Sequence, residues 1–104
     1  MEEMILVYIT NPSKEKAKEL AINLLEKRLV ACVNMFAGNS MYWWEGAIES
    51  EDENILVAKT VEENFAAVRH EIMNFSDYQI PCVVKIPITA NQQFVQWLRS
   101  EIRT

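Results

Sequence analysis

The residues that decide the fold are 30–48, which read VACVNMFAGNSMYWWEGAI. Val30–Phe36 and Met41–Ile48 are rich in β-branched and aromatic residues, which favour strands. Between them, the small and polar residues 37–40 (AGNS) have the composition of a turn. The pattern therefore predicts two strands that pair as a β-hairpin.

A β-α unit precedes this hairpin. Met4–Thr10 (MILVYIT) is almost entirely apolar, which predicts a strand buried on both faces. Asn11 or Ser13 can then cap a helix that ends near Arg28. Its buried stripe has the spacing i, i+3, i+4, i+7, i+8 and comprises Ala17, Leu20, Ala21, Leu24 and Leu25.

A second unit follows the hairpin. Glu49–Asn54 is acidic and is predicted to be a solvated turn before a strand at Ile55–Thr60. Thr60 and Glu63 have the spacing of a capping box, in which each side chain bonds the other's backbone amide, so a helix is expected to begin there. The chain closes with a strand and a helix, at Val83–Ile88 and Asn91–Arg103.

The predicted order is β-α-β-β-(β)-α-β-α. Two β-α-β units around a central hairpin are typical of an α+β, ferredoxin-like sandwich. The last helix is an addition to that arrangement. With 104 residues, the chain is expected to be a single domain, 1–104.

Charge and composition exclude several function classes. Ten Lys and Arg against fifteen Asp and Glu give a net charge of −5, which argues against a nucleic-acid partner. No apolar run approaches the ~18 residues of a membrane span. The first residues, Met1-Glu2-Glu3, lack the basic start of a secretory signal, so a cytoplasmic location is expected.

The sequence contains no recognisable catalytic set. His70 is the single histidine, and it is predicted to be a solvated helix residue. No G-x-S-x-G, Walker A or G-x-G-x-x-G motif occurs, so an enzyme is not expected. Cys32 and Cys82 lie fifty positions apart, which is not a disulfide framework. Cys32 is predicted to be a small buried residue, or alternatively a soft-metal ligand or a reactive thiol.

The aromatic run of the hairpin predicts an interface. Successive side chains of a strand point to opposite faces, so Tyr42 and Trp44 share one face, and Met41 and Trp43 share the other. Large amphipathic groups on both faces indicate burial against a partner. Lys59, just before the predicted cap at Thr60, either snorkels to water or helps to bind an anion.

These residues resemble the CutA family of divalent-cation-tolerance proteins. The resemblance rests on six pieces in the family's order, which together extend from Ile5 to about Ile102. They are Ala31-Cys32-Val33-Asn34, Tyr42-x-Trp44-x-Gly46-x-Ile48-Glu49, Lys59-Thr60, Tyr78-x-x-Pro81, Pro87-Ile88 and Trp97-Leu98.

The resemblance implies a homotrimer assembled through extended hairpins, with Met41, Tyr42, Trp43 and Trp44 at the subunit interface. It also implies a role in copper and divalent-cation tolerance without enzymatic activity. The family's shared residues line a cleft near the subunit contact. Carried over, they are Cys32, Asn34, Tyr42, Trp44, Glu49, Lys59 and Tyr78.

One departure from the family concerns metal. The family's usual His-Pro-Tyr-Glu-x-Pro-Glu reads Ser-Asp-Tyr-Gln-Ile-Pro-Cys here, so Ser76 replaces a histidine tied to copper binding, and Cys82 replaces a glutamate. Thiolates favour Cu(I). Any metal bound is therefore expected to be copper, held weakly by Cys32 and Cys82.

Two functions follow as hypotheses. The first is a non-enzymatic trimer in metal-ion tolerance. The alternative is a PII-like signalling module that binds a small anionic metabolite in the intersubunit cleft. For that cleft we expect Lys59, Tyr42, Trp44, Glu49 and Tyr78 to converge on one pocket at the subunit boundary.

Overall fold

A computed structural model describes residues 1–103 and has the predicted α+β, ferredoxin-like architecture. Its elements are β1 (Glu2–Asn11), α1 (Lys14–Glu26), β2 (Cys32–Trp44), β3 (Ala47–Thr60), a 3-10 turn (Glu62–Asn64), α2 (Phe65–Phe75), β4 (Val83–Ala90) and α3 (Gln92–Glu101). The four strands form one antiparallel sheet in the order β2-β3-β1-β4. No helix within residues 1–103 combines the length and the apolar content needed to cross a bilayer.

The sheet buries its two faces unequally. On one face, Val7 and Ile9 pack with Leu20 and Leu24 of α1 and Ile72 of α2, and all are essentially inaccessible to water. On the other face, α3 covers one end of the sheet, where its buried side chains pack around Met4 of β1. On this second face Met4 is buried, whereas Leu6, Tyr8 and Thr10 are only half-buried, so the burial of β1 predicted on both faces is confirmed at the Met4 end alone.

The hairpin is longer than the sequence pattern indicated, and the turn predicted at 37–40 is wrong. β2 continues through Gly38, because a glycine there leaves room for Ile55; a Cβ at that position would lie 2.6 Å from Ile55 Cδ1. The chain reverses instead at Glu45 and Gly46, whose φ angles are 48° and 83°. Two central residues with positive φ make the primed turn that suits a two-residue hairpin loop.

The acidic turn predicted at Glu49–Asn54 is also wrong, because these residues belong to β3. They pair with the polar part of β2, and side chains of both strands reinforce the ladder. Asn39 Nδ2 donates to the Glu51 carbonyl at 3.2 Å and to Asp52 Oδ1 at 3.1 Å. Cross-strand hydrogen bonds of this kind hold an acidic segment in a strand.

The capping box predicted at the start of α2 does not form. The Thr60 hydroxyl donates to the Leu29 carbonyl at 2.6 Å, and Asn64 Nδ2 donates to the same oxygen at 3.1 Å. Glu63 turns away to accept from Arg99. At α1, by contrast, Ser13 caps as predicted, accepting from the backbone amide of Lys16 at 3.1 Å.

Candidate functional site

A pocket of about 230 Å³ lies on the hairpin beside the segment that links α2 to β4. Tyr42 pairs with Glu49, and Trp44 pairs with Ala47, so these side chains share one face near the turn. The linking segment closes the other side with Tyr78. The full lining comprises Tyr42, Trp44, Glu49, Glu51, Tyr78, Gln79 and Ile80.

Tyr78 is positioned by a buried carboxylate on the hairpin. Its hydroxyl donates to Glu53 Oε1 at 3.2 Å, while Ser40 Oγ donates to Glu53 Oε2 at 2.6 Å. Glu53 is only 7% exposed, so the two hydroxyls supply the hydrogen bonds that a buried carboxylate requires. The backbone amide of Tyr78 also donates to Ser76 Oγ at 3.2 Å, which holds the linking segment in a tight turn.

The charged side chains that line this pocket are carboxylates. Burial raises the pKa of Tyr78 far above its ordinary value, and the Glu53 carboxylate adds to the shift. The Glu51 carboxylate beside the Tyr42 hydroxyl raises the pKa of that phenol too. Among the side chains of residues 1–103, no ammonium or guanidinium forms an ion pair with Glu49, Glu51 or Glu53. The arrangement suits a cation rather than an anion.

The other predicted cleft residues lie at the far end of the same sheet face. Cys32 pairs with Lys59, and Asn34 pairs with Val57. Lys59 and Glu49 are ten positions apart on β3, which is roughly 30 Å at the rise of a strand. The Lys59 ammonium lies 5.5 Å from the centre of the Phe94 ring. Within one chain, therefore, Tyr42, Trp44, Glu49 and Tyr78 come together, whereas Cys32, Asn34 and Lys59 form a second group.

The two thiols do not form a joint metal site within one chain. Both are free and half-buried, and they belong to opposite edges of the sheet, Cys32 at the start of β2 and Cys82 just before β4. Burial, followed by the charge of Glu53, raises the pKa of Cys82, which disfavours the thiolate that a soft metal requires. Within residues 1–103, no three His, Cys, Asp or Glu side chains converge as metal ligands.

Glu51 and Glu53 were not among the predicted cleft residues, because their acidic segment was interpreted as a solvated turn. The signal was present in the spacing. Glu49, Glu51 and Glu53 alternate along the chain, so a strand places all three on one face, together with Tyr42 of the partner strand.

The interface residues predicted on the hairpin differ in exposure. Met41 and Trp43 are each 71% exposed, on the face opposite the pocket. Tyr42 and Trp44 are half-buried, since they line the pocket. His70 is exposed, as predicted, and lies 3.0 Å from Asn74 Nδ2.

The fold and the site define a ferredoxin-like α+β protein whose long central hairpin carries an acidic, aromatic pocket. Residues 5–101 match the family described as CutA1 divalent ion tolerance protein. The chain therefore belongs to the CutA1 family.

Its relatives are similar over almost the whole chain. The divalent-cation tolerance protein CutA of Archaeoglobus fulgidus is 45% identical over 93 residues, covering 88% of this chain and 91% of its own. The CutA protein of Thermotoga maritima is 38% identical, and the match covers 95% of this chain and 99% of the relative. These names describe tolerance proteins rather than enzymes.

Solved structures agree with the fold. The A. fulgidus structure, described as a periplasmic divalent cation tolerance protein, has a TM-score of 0.93 at 41% identity and covers 97% of this chain and 99% of its own. The crystal structure of CutA1 from Pyrococcus horikoshii has a TM-score of 0.93 at 32% identity, and the match covers 97% of this chain and 100% of that chain.

Proposed function

We propose that this protein acts in tolerance of divalent metal ions, copper among them, as a non-enzymatic homotrimer. The observation that carries the proposal is membership of the CutA1 family over residues 5–101. A strain that lacks its own member of the family tests it. The gene for this chain is expected to restore growth in copper, and failure of a stably expressed protein to do so would contradict the role.

The exposed hairpin supports the trimer. Met41 and Trp43, each 71% exposed, and Ile48, 60% exposed, lie on one face of the hairpin, and neighbouring exposed apolar side chains of this kind mark interaction surfaces. Obligate interfaces often bury more than ~2,000 Å² and resemble a protein core. A three-fold assembly joins two different patches of each chain, which a protruding hairpin can provide.

Copper binding is proposed to be weak and to depend on thiols. Because one chain brings no three ligands together among residues 1–103, a site would need Cys32 or Cys82 beside donors from another subunit. Calorimetry with Cu(I) is expected to show weaker binding for Cys32→Ser and Cys82→Ser than for the unchanged protein. Equal affinity in both variants would exclude the thiols as ligands.

A variant designed to bind copper more tightly provides the matched comparison for the cysteine variants. Ser76 and Cys82 line one small groove beside the end of β1. Ser76→His restores the histidine typical of the family and is expected to tighten copper binding, because an imidazole adds a good copper ligand near the thiol. Cys82→Ser in the Ser76→His background should remove that gain.

The PII-like alternative depends on a neighbouring subunit. An anionic metabolite would need Lys59, and only another subunit's Lys59 could approach the hairpin pocket, whose own Glu49 and Glu51 repel anions. A thermal-shift screen of nucleotides and carboxylates tests the alternative. A ligand that raises the melting temperature, and loses that effect with Lys59→Gln, would favour it over metal tolerance.

A cytoplasmic location remains a prediction from the sequence. The A. fulgidus relative is described as periplasmic, and relatives in rice and Arabidopsis are described as chloroplastic. Cell fractionation of the source organism, with antibodies against the protein, would measure it directly.

A further inference from the structure

A groove of about 550 Å³ lies at the end of the sheet opposite the hairpin turn. Two strand ends, at 3–5 on β1 and 87–89 on β4, form its floor. Met4 and Ile5 are buried there, and Pro87 and Ile88 add apolar surface. Small-molecule sites commonly have this size and a mostly apolar lining.

Two ion pairs form the rim of the groove. Lys85 Nζ lies 2.6 Å from Glu62 Oε1, and Arg99 Nη1 lies 3.0 Å from Glu63 Oε2. These four side chains are between 33% and 60% exposed, so each pair is solvated and contributes little by itself. Water-accessible pairs of this kind can exchange their partners for a ligand at small cost.

The order of the charges points to a ligand that carries both signs. A simple anion would compete with Glu62 and Glu63 for the cations and would leave those carboxylates without partners. A simple cation could pair with Glu3, which also lines the groove and forms no ion pair among residues 1–103, but it would make no use of Lys85 and Arg99. A zwitterion satisfies both sets, because its carboxylate can take the guanidinium fork of Arg99 while its ammonium faces Glu63.

We propose that this groove binds a free α-amino acid with an apolar side chain. Its carboxylate would bind the guanidinium of Arg99, its ammonium would bind the carboxylate of Glu63, and its side chain would cover Pro87. The inference does not rest on metal tolerance, since the groove shares no residue with the hairpin pocket.

Calorimetry on the full-length protein tests the ligand class. L-leucine and L-phenylalanine are expected to bind saturably. 4-Methylpentanoate, which lacks the ammonium of leucine, and isoamylamine, which lacks its carboxylate, are each expected to bind at least tenfold more weakly, because each loses a charged hydrogen bond. Equal binding by either analogue, or no saturable binding by the amino acids, would overturn the proposal.

Variants locate the site. Arg99→Gln and Glu63→Gln each remove one rim charge and are expected to weaken leucine binding at least tenfold, whereas Arg99→Lys retains the positive charge and should bind better than Arg99→Gln. Arg28→Gln is the matched control, because it breaks a similar exposed pair with Glu101, 2.9 Å apart, away from the groove. Leucine binding that is unchanged in both Gln variants of the rim would place the amino acid elsewhere and overturn the proposal.

Discussion

The Tyr78 hydroxyl donates a hydrogen bond to the buried carboxylate of Glu53, with 3.2 Å between the two oxygens. These residues are 25 positions apart, and their contact joins the segment after α2 to the hairpin. The pocket exists because of this contact, since Tyr78 forms one wall and the hairpin forms the other. The position of the wall therefore depends on a residue that does not itself line the pocket.

Tyr78→Phe should lower the free energy of unfolding by about 1–3 kcal/mol. The substitution leaves the buried Glu53 carboxylate with Ser40 as its remaining donor, and an undersatisfied buried charge is costly. Urea denaturation measures the loss. Tyr8→Phe is the control, because within residues 1–103 the Tyr8 hydroxyl makes no hydrogen bond. Equal losses in the two variants would contradict the role assigned to Glu53.

The contact between α1 and α2 should weaken in acid. Glu71 of α2 accepts from Lys27 Nζ at 2.6 Å and from Asn23 Nδ2 at 2.9 Å, and the Lys27 bond is the main cause of its lowered pKa. A carboxyl whose pKa is lower in the folded state adds stability above its unfolded value of 4.5, and loses that stability as the pH falls through the folded value.

Glu71→Gln should therefore cost about 1 kcal/mol at pH 7 and progressively less as the pH falls below 4.5. Urea denaturation of both proteins across this pH range measures the difference. Glu26→Gln, an exposed change on α1 with no ion pair among the described residues, is the control. If the stability difference between Glu71→Gln and the unchanged protein stayed constant with pH, the charge of Glu71 would contribute nothing to stability.

Sequence patterns predicted the elements that face the core, since apolar periodicity determines which side of a helix or strand is buried. β1 and α1 were located to within two residues at each end. The hairpin was not, because its outer half is exposed to water and carries no apolar alternation. Gly38 was therefore interpreted as a turn residue, although its lack of a side chain serves to accommodate Ile55.

The site was predictable only in part, for a related reason. Tyr42, Trp44 and Glu49 are brought together by the local period of a strand. Tyr78 reaches them through a long-range contact with Glu53, which no local pattern encodes. Within one chain the length of β3 puts Lys59 roughly 30 Å from Glu49, so its predicted convergence with them at a subunit boundary depends on a neighbouring subunit.

The hairpin turn should tolerate few residues at position 46. Gly46 has a φ of 83°, and no atom lies within 4 Å of the place where its Cβ would be, so any cost comes from the backbone alone. Gly46→Val should lower the free energy of unfolding by about 1–2 kcal/mol, while Gly46→Asn should lose less, because asparagine adopts positive φ more readily. Thermal unfolding followed by circular dichroism measures both. Equal losses would contradict the turn assignment.

Trp43→Ala should weaken subunit association more than it changes the fold of the subunit. The indole is 71% exposed in the single chain, so its removal leaves the core of the chain intact. If the indole is buried between subunits, its removal is expected to reduce the free energy of association by on the order of 3–5 kcal/mol, as at the centre of a packed interface. Light scattering across a dilution series should show that the Trp43→Ala trimer dissociates at a higher protein concentration than the trimer of the unchanged protein. Trp97→Ala is the control, since Trp97 is also partly exposed, at 45%, but belongs to α3. A monomer mass for the unchanged protein at micromolar concentration, or identical dissociation of the two variants, would rule out the hairpin as the subunit contact.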